Sequence, residues 1–570
     1  MKHDYLYSFL RTRKSQNGSV LIISLIVFTI LFMIGQTFLS RVVNERKLTE
    51  LELTRNQAFY LAEGAKNVAL AELRQRTTLQ LDTHLRGVSN IAHLQSYLPI
   101  SRSLEFLRDY AYESNSDARF ALDNPGWGDR AYLVLSRPDA ETGSYDVLLE
   151  VFTNGDPAEN PPEVLQFPYR YQISAFGTSA LNGIGQQILS SGTFIVIVQR
   201  DNFARYALFT DEHTSPSGGI VWFTNQTNFT GPVHSNDRFS FAGNPGATFT
   251  DAVSQEKGTA RFYNDRDYLL LDDNRNGDID VPTFQLGFSR GVEAIPLPAT
   301  TDKESQQRTA LGLPGNQPIP SMSNGIYVPE SQGALTGGIY VRGNAAVGMS
   351  VNGDGYQVYN VQQGSTAQQI TVNPDANTTT VQEGAATDTY TGTPRGILFV
   401  DGSVQSFSGT LSNRTQLTVA SSGDFIITNH VRYQNYATTP SLNATGYNNL
   451  LGALSWNGDI RIATTAPNDL DVHSTVMAPN GVFTVDNYDR GSPRGTVTLL
   501  GGAITENYGA FGTFNQNGPV SGYGRNFVYD SRMRQGYSPP YFPTATTFTA
   551  TNNGVLNLPG WEKKRGHAPP

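Results

Sequence analysis

The N-terminal segment constrains the fold more than any other part of the chain, because an apolar run follows a short basic one. The run extends from Val20 to Ile34, and apolar residues continue to Leu39. A helix of about twenty such residues spans roughly 30 Å, the hydrocarbon core of a bilayer. Basic residues favour the cytoplasmic side, and here they are Lys2, Arg11, Arg13 and Lys14. We predict a single helix in the bacterial inner membrane, with the remainder of the chain outside the cytoplasm.

Two other interpretations of this segment are a cleaved secretory signal and a plain signal anchor. A cleaved secretory signal would end in an Ala-x-Ala-like site, whereas this run continues as Gly35-Gln36-Thr37-Phe38-Leu39. The sequence therefore argues against cleavage after the run. A plain signal anchor stays open as an alternative.

The helical pattern continues beyond the membrane. The chain from Arg41 to Arg76 has no proline and is rich in Leu, Ala, Glu, Arg and Lys. Small apolar residues recur every three or four positions, at Ala58, Ala62, Ala65, Ala69 and Leu73. We predict one helix from Ser19 to about Arg76, whose outer half is an amphipathic stem.

The basic leader, Gly18 before Ser19-Val20-Leu21-Ile22-Ile23, and the continuous helix resemble a prepilin of type IV pilus and type II secretion systems. The stretch NQAFYLAEGAKNVALAEL resembles the stem of PilX-type pilins. The resemblance implies cleavage between Gly18 and Ser19 by a prepilin peptidase. It also implies packing with other pilins in a filament that reaches the cell surface.

One position departs from that family pattern. Most pilins carry glutamate as the fifth residue of the mature chain, where it pairs with a neighbouring subunit, and here that residue is Ile23. Because a buried carboxylate without a partner is costly, a subunit with no neighbour above it can lose the glutamate. By analogy with tip-located minor pilins, we expect a place at the filament tip; neutral variation at this position is the alternative.

The rest of the chain has the composition of a strand-rich protein, with 55 Gly and 30 Pro in 570 residues. Cysteine is absent, which excludes disulfides, thiol catalysis and cysteine metal sites. Alternating apolar runs predict an antiparallel pilin-like sheet on the stem: AYLVLSRP, YDVLLEVFTN, FPYRYQISAFG and QQILSSGTFIVIVQR.

After Tyr206 the pattern changes to short strand-turn units. Between Arg395 and Val431, apolar pairs recur with Gly or Asn at the corners: Ile397/Phe399, Val404/Phe407, Leu417/Val419 and Phe425/Ile427. Such rungs predict an inserted β-solenoid, with a β-sandwich as the alternative. The predicted fold class is α+β: a long N-terminal transmembrane and amphipathic pilin helix, an antiparallel pilin sheet and the large inserted domain.

The predicted divisions follow from these patterns. They are a leader (1–18), the transmembrane and stem helix (19–76), a pilin-like β domain (77–205), a β-solenoid domain (206–525), and a return to the pilin domain with a C-terminal tail (526–570). Residues after Pro543 are expected to form a loose tail.

The stem, GPVHSN, the long β-rich region and the terminal YDSRM and PPYFP resemble large competence-associated minor pilins of the ComZ type. That resemblance implies a β-solenoid inserted in a pilin fold and a role as a DNA receptor at the pilus tip in natural transformation. Three alternatives stay open: a pilus-borne adhesin, an architectural tip or initiation subunit, and a type II secretion pseudopilin.

The charges of the chain bear on DNA binding. Residues 321–500 contain seven arginines, no lysine and twelve acidic residues, for a net charge of −5. Non-specific DNA affinity comes mainly from cations that neutralise phosphates, so the DNA-binding residues are unknown at this stage. Arginines do interleave with aromatic residues from Tyr523 to Tyr537, which fits either a strand packed on a core or a single-strand DNA contact.

A calcium loop is the best metal candidate. The segment DDNRNGDID places oxygen ligands with calcium-loop spacing and glycine at the sixth position, with the ligands Asp272, Asn274, Asn276, Asp278 and Asp280. Thr283 stands where an EF-hand has its closing glutamate, so an isolated extracellular calcium site is expected. An ordinary Asp/Asn turn is the alternative.

No enzyme motif accompanies these features, and we predict that the chain is not an enzyme. His234, in the motif GPVHSN, is interpreted as a structural histidine in a turn. Two carboxylate pairs, Asp469/Asp471 and Asp486/Asp489, are interpreted as solvated surface groups.

Overall fold

The computed structural model describes residues 16–85, 88, 90–111, 119–122, 130–138, 143–159, 164–225, 227–243, 246–264, 267–271, 282–434, 448–515, 518–535 and 537–553. The α-helices in these residues are α1 (Gln16–Gln75), α2 (Leu81–Leu85), α3 (Ile91–Gln95), α4 (Ile100–Ala111) and α5 (Thr300–Ala310). A π-helical turn, Arg76–Gln80, joins α1 to α2.

The strands of the N-terminal half are β1 (Arg119–Leu122), β2 (Arg130–Arg137), β3 (Gly143–Thr153), β4 (Ala158–Glu159), β5 (Leu165–Ser179), β6 (Gly185–Asn202), β7 (Leu208–Glu212), β8 (Asn228–Phe229), β9 (Val233–Ser235), β10 (Ser240–Phe241), β11 (Thr248–Phe249), β12 (Val253–Gln255), β13 (Ala260–Asn264), β14 (Asp267–Leu271), β15 (Thr283–Phe284) and β16 (Phe288–Arg290).

Those of the C-terminal half are β17 (Gly325–Tyr327), β18 (Glu330–Ser331), β19 (Ala334–Leu335), β20 (Ile339–Arg342), β21 (Ala345–Val351), β22 (Gln357–Gln363), β23 (Thr366–Asn373), β24 (Thr378–Glu383), β25 (Ala386–Thr391), β26 (Ile397–Asp401), β27 (Val404–Leu411), β28 (Gln416–Ser421), β29 (Phe425–Tyr433), β30 (Leu450–Ser455), β31 (Ile460–Ile462), β32 (Asp471–His473), β33 (Thr475–Ala478), β34 (Phe483–Val485), β35 (Pro493–Leu500), β36 (Ala503–Asn507), β37 (Gly512–Asn515), β38 (Gly518–Val528) and β39 (Thr544–Asn553).

The chain divides into two compact units. The first consists of Met1–His84, Asn90–Ile197 and Asn552–Pro570, and the second of Leu85–Ser89 and Val198–Thr551. One sheet has the order β1-β2-β3-β5-β6-β39, with β4 beside β5. The ladders of β2 with β3 and of β3 with β5 are antiparallel, as the sequence predicts for these strands.

In the first unit, the outer half of α1 packs against β5 through its small residues. The predicted stripe is buried, with no exposed area at Ala58, Ala62, Ala65, Ala69 or Leu73. Gly177 of β5 permits this close approach, because a Cβ there would lie 2.3 Å from the Ala58 carbonyl oxygen and 2.5 Å from the Ala62 nitrogen. The predicted packing of stem on sheet is confirmed.

Helix α4 lies in a stretch, 77–125, for which the sequence predicts no definite structure. Phe106 of this helix stacks on Phe167 of β5 at 4.3 Å between ring centroids. The Tyr169 hydroxyl donates to the Ser103 carbonyl oxygen at 2.7 Å. The helix therefore contributes to the same core as the sheet.

In the second unit, most strands belong to two large sheets. The eleven-stranded sheet has the order β16-β12-β9-β7-β36-β33-β30-β28-β26-β20-β17, and all its ladders are parallel except that of β17 with β20. In the fifteen-stranded sheet, β21, β27, β29, β32, β35 and β38 also pair in parallel. The coarse class, α+β with a long apolar N-terminal helix and a large sheet-rich region, is thus as predicted.

The predicted apolar pairs stack on one another in one of two ladders; in the other, Ile397 and Phe399 lie opposite Thr418 and Ala420. In the ladder of β27 with β29, Val404 lies opposite Phe425 and Phe407 opposite Ile427. All four side chains are fully buried. Burial of such pairs on every rung provides the apolar core that short strands cannot form alone.

A column of glycines marks one corner of these rungs: Gly343, Gly402, Gly423, Gly458 and Gly481. A Cβ on Gly402 would lie 2.5 Å from the carbonyl carbon of Gly343, and one on Gly481 would lie 2.5 Å from the Gly458 oxygen. The residue after three of these glycines accepts a bond from the next rung: the Ser403 amide donates to Asn344 Oδ1, the Asp459 amide to Asp424 Oδ1 and the Val482 amide to Asp459 Oδ1. Backbones therefore approach at this corner more closely than any side chain would permit.

The expectation of a loose tail after Pro543 is wrong for residues 544–553, which form β39. This segment is rich in threonine, a β-branched residue that favours strands. Phe548 is fully buried and Ala545 is nearly so. The high threonine content was the signal for this strand.

Replacing Gly177 by alanine is expected to lower the free energy of unfolding by about 2 kcal/mol or more, because the new methyl group overlaps the α1 backbone. Urea unfolding of the detergent-solubilised full chain measures this. Gly64→Ala is the matched control, since nothing lies within 4 Å of its Cβ position and alanine favours the helix. Equal losses in the two variants would contradict the packing described.

Candidate functional site

The predicted cleavage pair, Gly18 and Ser19, lies in the first turn of α1, which begins at Gln16. The segment Val20–Thr78 contains an 18-residue window of mean hydropathy 2.4, none of which is buried. The large apolar side chains from Val20 to Leu39 are 48% to 75% exposed. By length and composition, this part of α1 can cross a membrane.

The arginines of residues 321–500, where the sequence predicts rungs of the solenoid, are mostly paired with aspartates. Five of the seven form ion pairs: Arg342 with Asp401, Arg414 with Asp375, Arg432 with Asp471, Arg461 with Asp424 and Asp486, and Arg490 with Asp489. Arg494 instead donates to the Ala466 carbonyl and lies over the Tyr523 ring. A DNA phosphate would have to compete with a carboxylate for most of these guanidinium groups.

Arg395 differs from the others. Its side chain is exposed, and within the part of the chain that the structure describes no carboxylate pairs with it. It lines a groove of about 210 Å³ together with Arg414 and Gln416. At Arg395 itself, no described carboxylate would compete with a phosphate, whereas the neighbouring Arg414 is paired with Asp375.

The arginine and aromatic residues from Tyr523 to Tyr537 are largely structural. Tyr523 and Tyr529 are buried, as the core interpretation predicts. Arg532 pairs with Asp530 at 2.6 Å, and the Arg525 guanidinium lies over the Tyr508 ring at 5.0 Å. Most of the arginines and aromatic rings that would contact single-stranded DNA are therefore already in contact with other residues of the fold.

The carboxylates of the two sequence-selected pairs are also engaged. Asp469 Oδ1 accepts from the Thr496 amide at 3.0 Å. The other three, Asp471, Asp486 and Asp489, are the arginine partners named above. They serve as links between rungs or as surface ion pairs.

The predicted calcium ligands Asp272, Asn274, Asn276, Asp278 and Asp280 lie outside the described residues, between β14 and β15. The calcium site therefore stays a prediction. Among the described residues, no group of three or more His, Asp or Glu side chains is placed to hold a metal.

His234 is a structural histidine, as its motif suggested. Its ring is fully buried, with Nδ1 2.8 Å from Ser254 Oγ and Nε2 3.0 Å from Asn236 Oδ1. Both ring nitrogens are thus held within the second unit. The motif GPVHSN serves to connect neighbouring rungs.

His213 was not singled out by any sequence pattern, yet it is fully buried among aromatic rings. Phe223 and Phe239 lie 4.6 Å and 4.8 Å from it between ring centroids. Its Nε2 has no hydrogen-bond partner among the described residues. Burial, with the Arg525 and Arg261 charges, lowers the pKa of His213 to about 3.

Acid is therefore expected to destabilise the second unit. Burial likewise lowers the pKa of His473 to about 4. Below pH 6.5 these two histidines bind protons in the unfolded chain, whereas their buried rings in the folded chain do not. Their titration therefore costs no stability above pH 6.5, and the free energy of unfolding falls as the pH falls towards 4. Each ring contributes about 2 kcal/mol of this loss at pH 5.

Urea unfolding at pH 7 and pH 5 tests this pH dependence. His213→Phe is expected to reduce the difference in unfolding free energy between the two pH values by about 2 kcal/mol. An unaltered difference in His213→Phe would mean that this ring binds a proton as readily in the folded chain as in the unfolded chain, which would contradict its lowered pKa.

Comparisons with known proteins come from families, curated proteins and solved structures. A family defined by a domain of unknown function, DUF4900, matches residues 166–256, from β5 to just beyond β12. The comparison with curated proteins finds no match. Among solved structures, the crystal structure of the competence-associated pilin ComZ from Thermus thermophilus matches with 11% identity and a TM-score of 0.29, covering 88% of this chain and 98% of that one.

Proposed function

We propose that this chain is a minor pilin: a subunit held in the bacterial inner membrane by α1, processed by a prepilin peptidase, and assembled with other pilins into a type IV pilus. One observation carries the proposal. A continuous helix of 60 residues has an apolar half that no described residue covers and a distal half whose alanine stripe is buried against a sheet. A bilayer before assembly and neighbouring helices after it would both cover that apolar half.

The second unit is, in this proposal, a β-solenoid displayed at the cell surface. Sandwiches are built mainly from antiparallel strands, whereas the two large sheets here join successive passes of the chain by parallel ladders. The glycine column supports the same interpretation, because it repeats at one corner of five successive passes. Ile23, 59% exposed on α1 in place of the usual glutamate, supports a position at the pilus tip.

Processing tests the pilin proposal. Gly18→Ala is expected to retain the 18-residue leader, which intact mass spectrometry of the membrane fraction detects as the added leader mass. Gly35→Ala is the matched control, because it lies in the same helix with open space around its Cβ position. Normal processing of Gly18→Ala would count against a prepilin.

DNA capture in natural transformation is a second candidate function, and Arg395 is the observation that favours it. The other arginines of the surrounding rungs are paired, so we expect weak binding that depends steeply on salt. An adhesive or architectural role without DNA binding is the alternative.

A salt series of double- and single-stranded DNA binding by the purified full chain, with and without calcium, tests this candidate. Arg395→Ala should reduce the slope of log affinity against log salt by about 1, the value for one lost phosphate contact. Arg490→Ala, which removes an equally charged side chain that is 78% exposed, should change the slope less. No binding at low salt would leave a minor pilin that does not bind DNA.

A further inference from the structure

A groove of about 470 Å³ lies in the second unit, between the segment 311–329 and strands β23 to β25. Its volume falls in the range of ligand-binding clefts. Its apolar lining comes from half-buried and buried side chains: Leu311, Leu313, Met322, Ile326, Val328 and Val381. Water in such a groove is readily displaced by an apolar group.

Two carboxylates lie beside this apolar lining. Glu383 and Asp388 line the groove and are exposed, and no lysine, arginine or histidine pairs with them in the described part of the chain. Tyr390 also lines it, and burial together with the nearby Asp388 and Glu330 charges raises the pKa of the Tyr390 hydroxyl. The groove therefore carries negative charge that nothing in the described fold neutralises.

A hydrogen-bond acceptor in the groove also lacks a donor. The Gln368 amide nitrogen donates to Glu383 Oε2 at 2.8 Å, but the buried Gln368 Oε1 has no partner among the described residues. Leaving a buried acceptor unsatisfied costs about 1 to 3 kcal/mol. A ligand that brings an N–H group would remove this cost.

We propose that this groove binds a cationic, amphipathic peptide segment of a partner protein, with lysine or arginine beside apolar side chains. The apolar lining takes the apolar side chains, while Glu383 and Asp388 pair with the cations. The Tyr327 and Tyr390 rings offer faces on which a cation can rest. Once the Gln368 side chain turns its buried Oε1 towards the groove, a backbone or side-chain N–H of the peptide donates to it.

Other occupants fit the chemistry less well. DNA would place phosphates beside three carboxylates, Glu330, Glu383 and Asp388, with no cation between them. A neutral glycan would neutralise none of that charge. An uncharged apolar peptide would cover the carboxylates without pairing them, which is costly.

Isothermal titration calorimetry of the full chain with acetyl-Lys-Leu-Trp-Leu-Lys-amide tests the proposal. We expect binding that the acidic analogue acetyl-Glu-Leu-Trp-Leu-Glu-amide and the glycine analogue acetyl-Lys-Gly-Gly-Gly-Lys-amide do not reproduce. In the protein, Glu383→Gln with Asp388→Asn should weaken binding of the first peptide about tenfold. Gln368→Leu should weaken it about threefold by removing the acceptor.

Asp354→Asn is the control for the charge change, because Asp354 is exposed in a turn outside the groove. It should leave the affinity unchanged. If a groove variant unfolds, the peptide affinity of the unaltered protein is measured at two salt concentrations that differ tenfold. The affinity should fall at the higher concentration, because salt screens the ion pairs. The proposal is overturned if the first peptide gives no binding heat, if the acidic analogue binds equally well, or if Asp354→Asn weakens binding as much as the groove variants. These outcomes do not depend on leader processing or on DNA binding.

Discussion

The second unit depends on one physical interaction: the in-register parallel pairing of short strands in successive passes of the chain. Most of these strands have three to nine residues, too few to bury an apolar core alone. Stacking places each buried residue, such as Phe399 or Val419, over another in the next pass. The glycine column allows the turns to stack at the same spacing as the strands, so the ladder is not forced apart at its corner.

The same stacking organises the charges. Partners such as Arg432 and Asp471 lie 39 residues apart in sequence but are adjacent across a ladder. Pairing of this kind uses the few arginines to neutralise carboxylates between rungs, and the acidic excess remains at the surface. The exceptions are informative: Arg395 is a cation without a carboxylate partner in the described chain, and Glu383 and Asp388 are carboxylates without a cation partner there.

Local periodicity made much of the fold predictable. The alanine stripe of α1 and the alternating residues of β2, β3, β5 and β6 indicated both the element and its buried side. Helix α4 also had a signal, since Leu104, Leu107 and Ala111 recur at helical spacing, but it is short and lies among mixed sequence. The groove and the His213 environment could not be predicted, because they join residues that are distant in sequence, such as Leu311 with Tyr390 and His213 with Tyr508.

The ladder between β7 and β36 has a consequence for how the unit is made. Leu208–Glu212 pairs with Val233–Ser235 on one side and with Ala503–Asn507 on the other, so the first and last passes of the chain meet in the middle of the sheet. Pairing β7 with β36 brings together strands that lie almost 300 residues apart in sequence, and pairing over such a distance slows folding. During synthesis, β7 emerges almost 300 residues before β36, and until then one of its edges is unpaired and other strands can occupy it. The yield of folded protein would therefore depend on how long this edge of β7 stays unpaired, and not only on the stability of the finished fold.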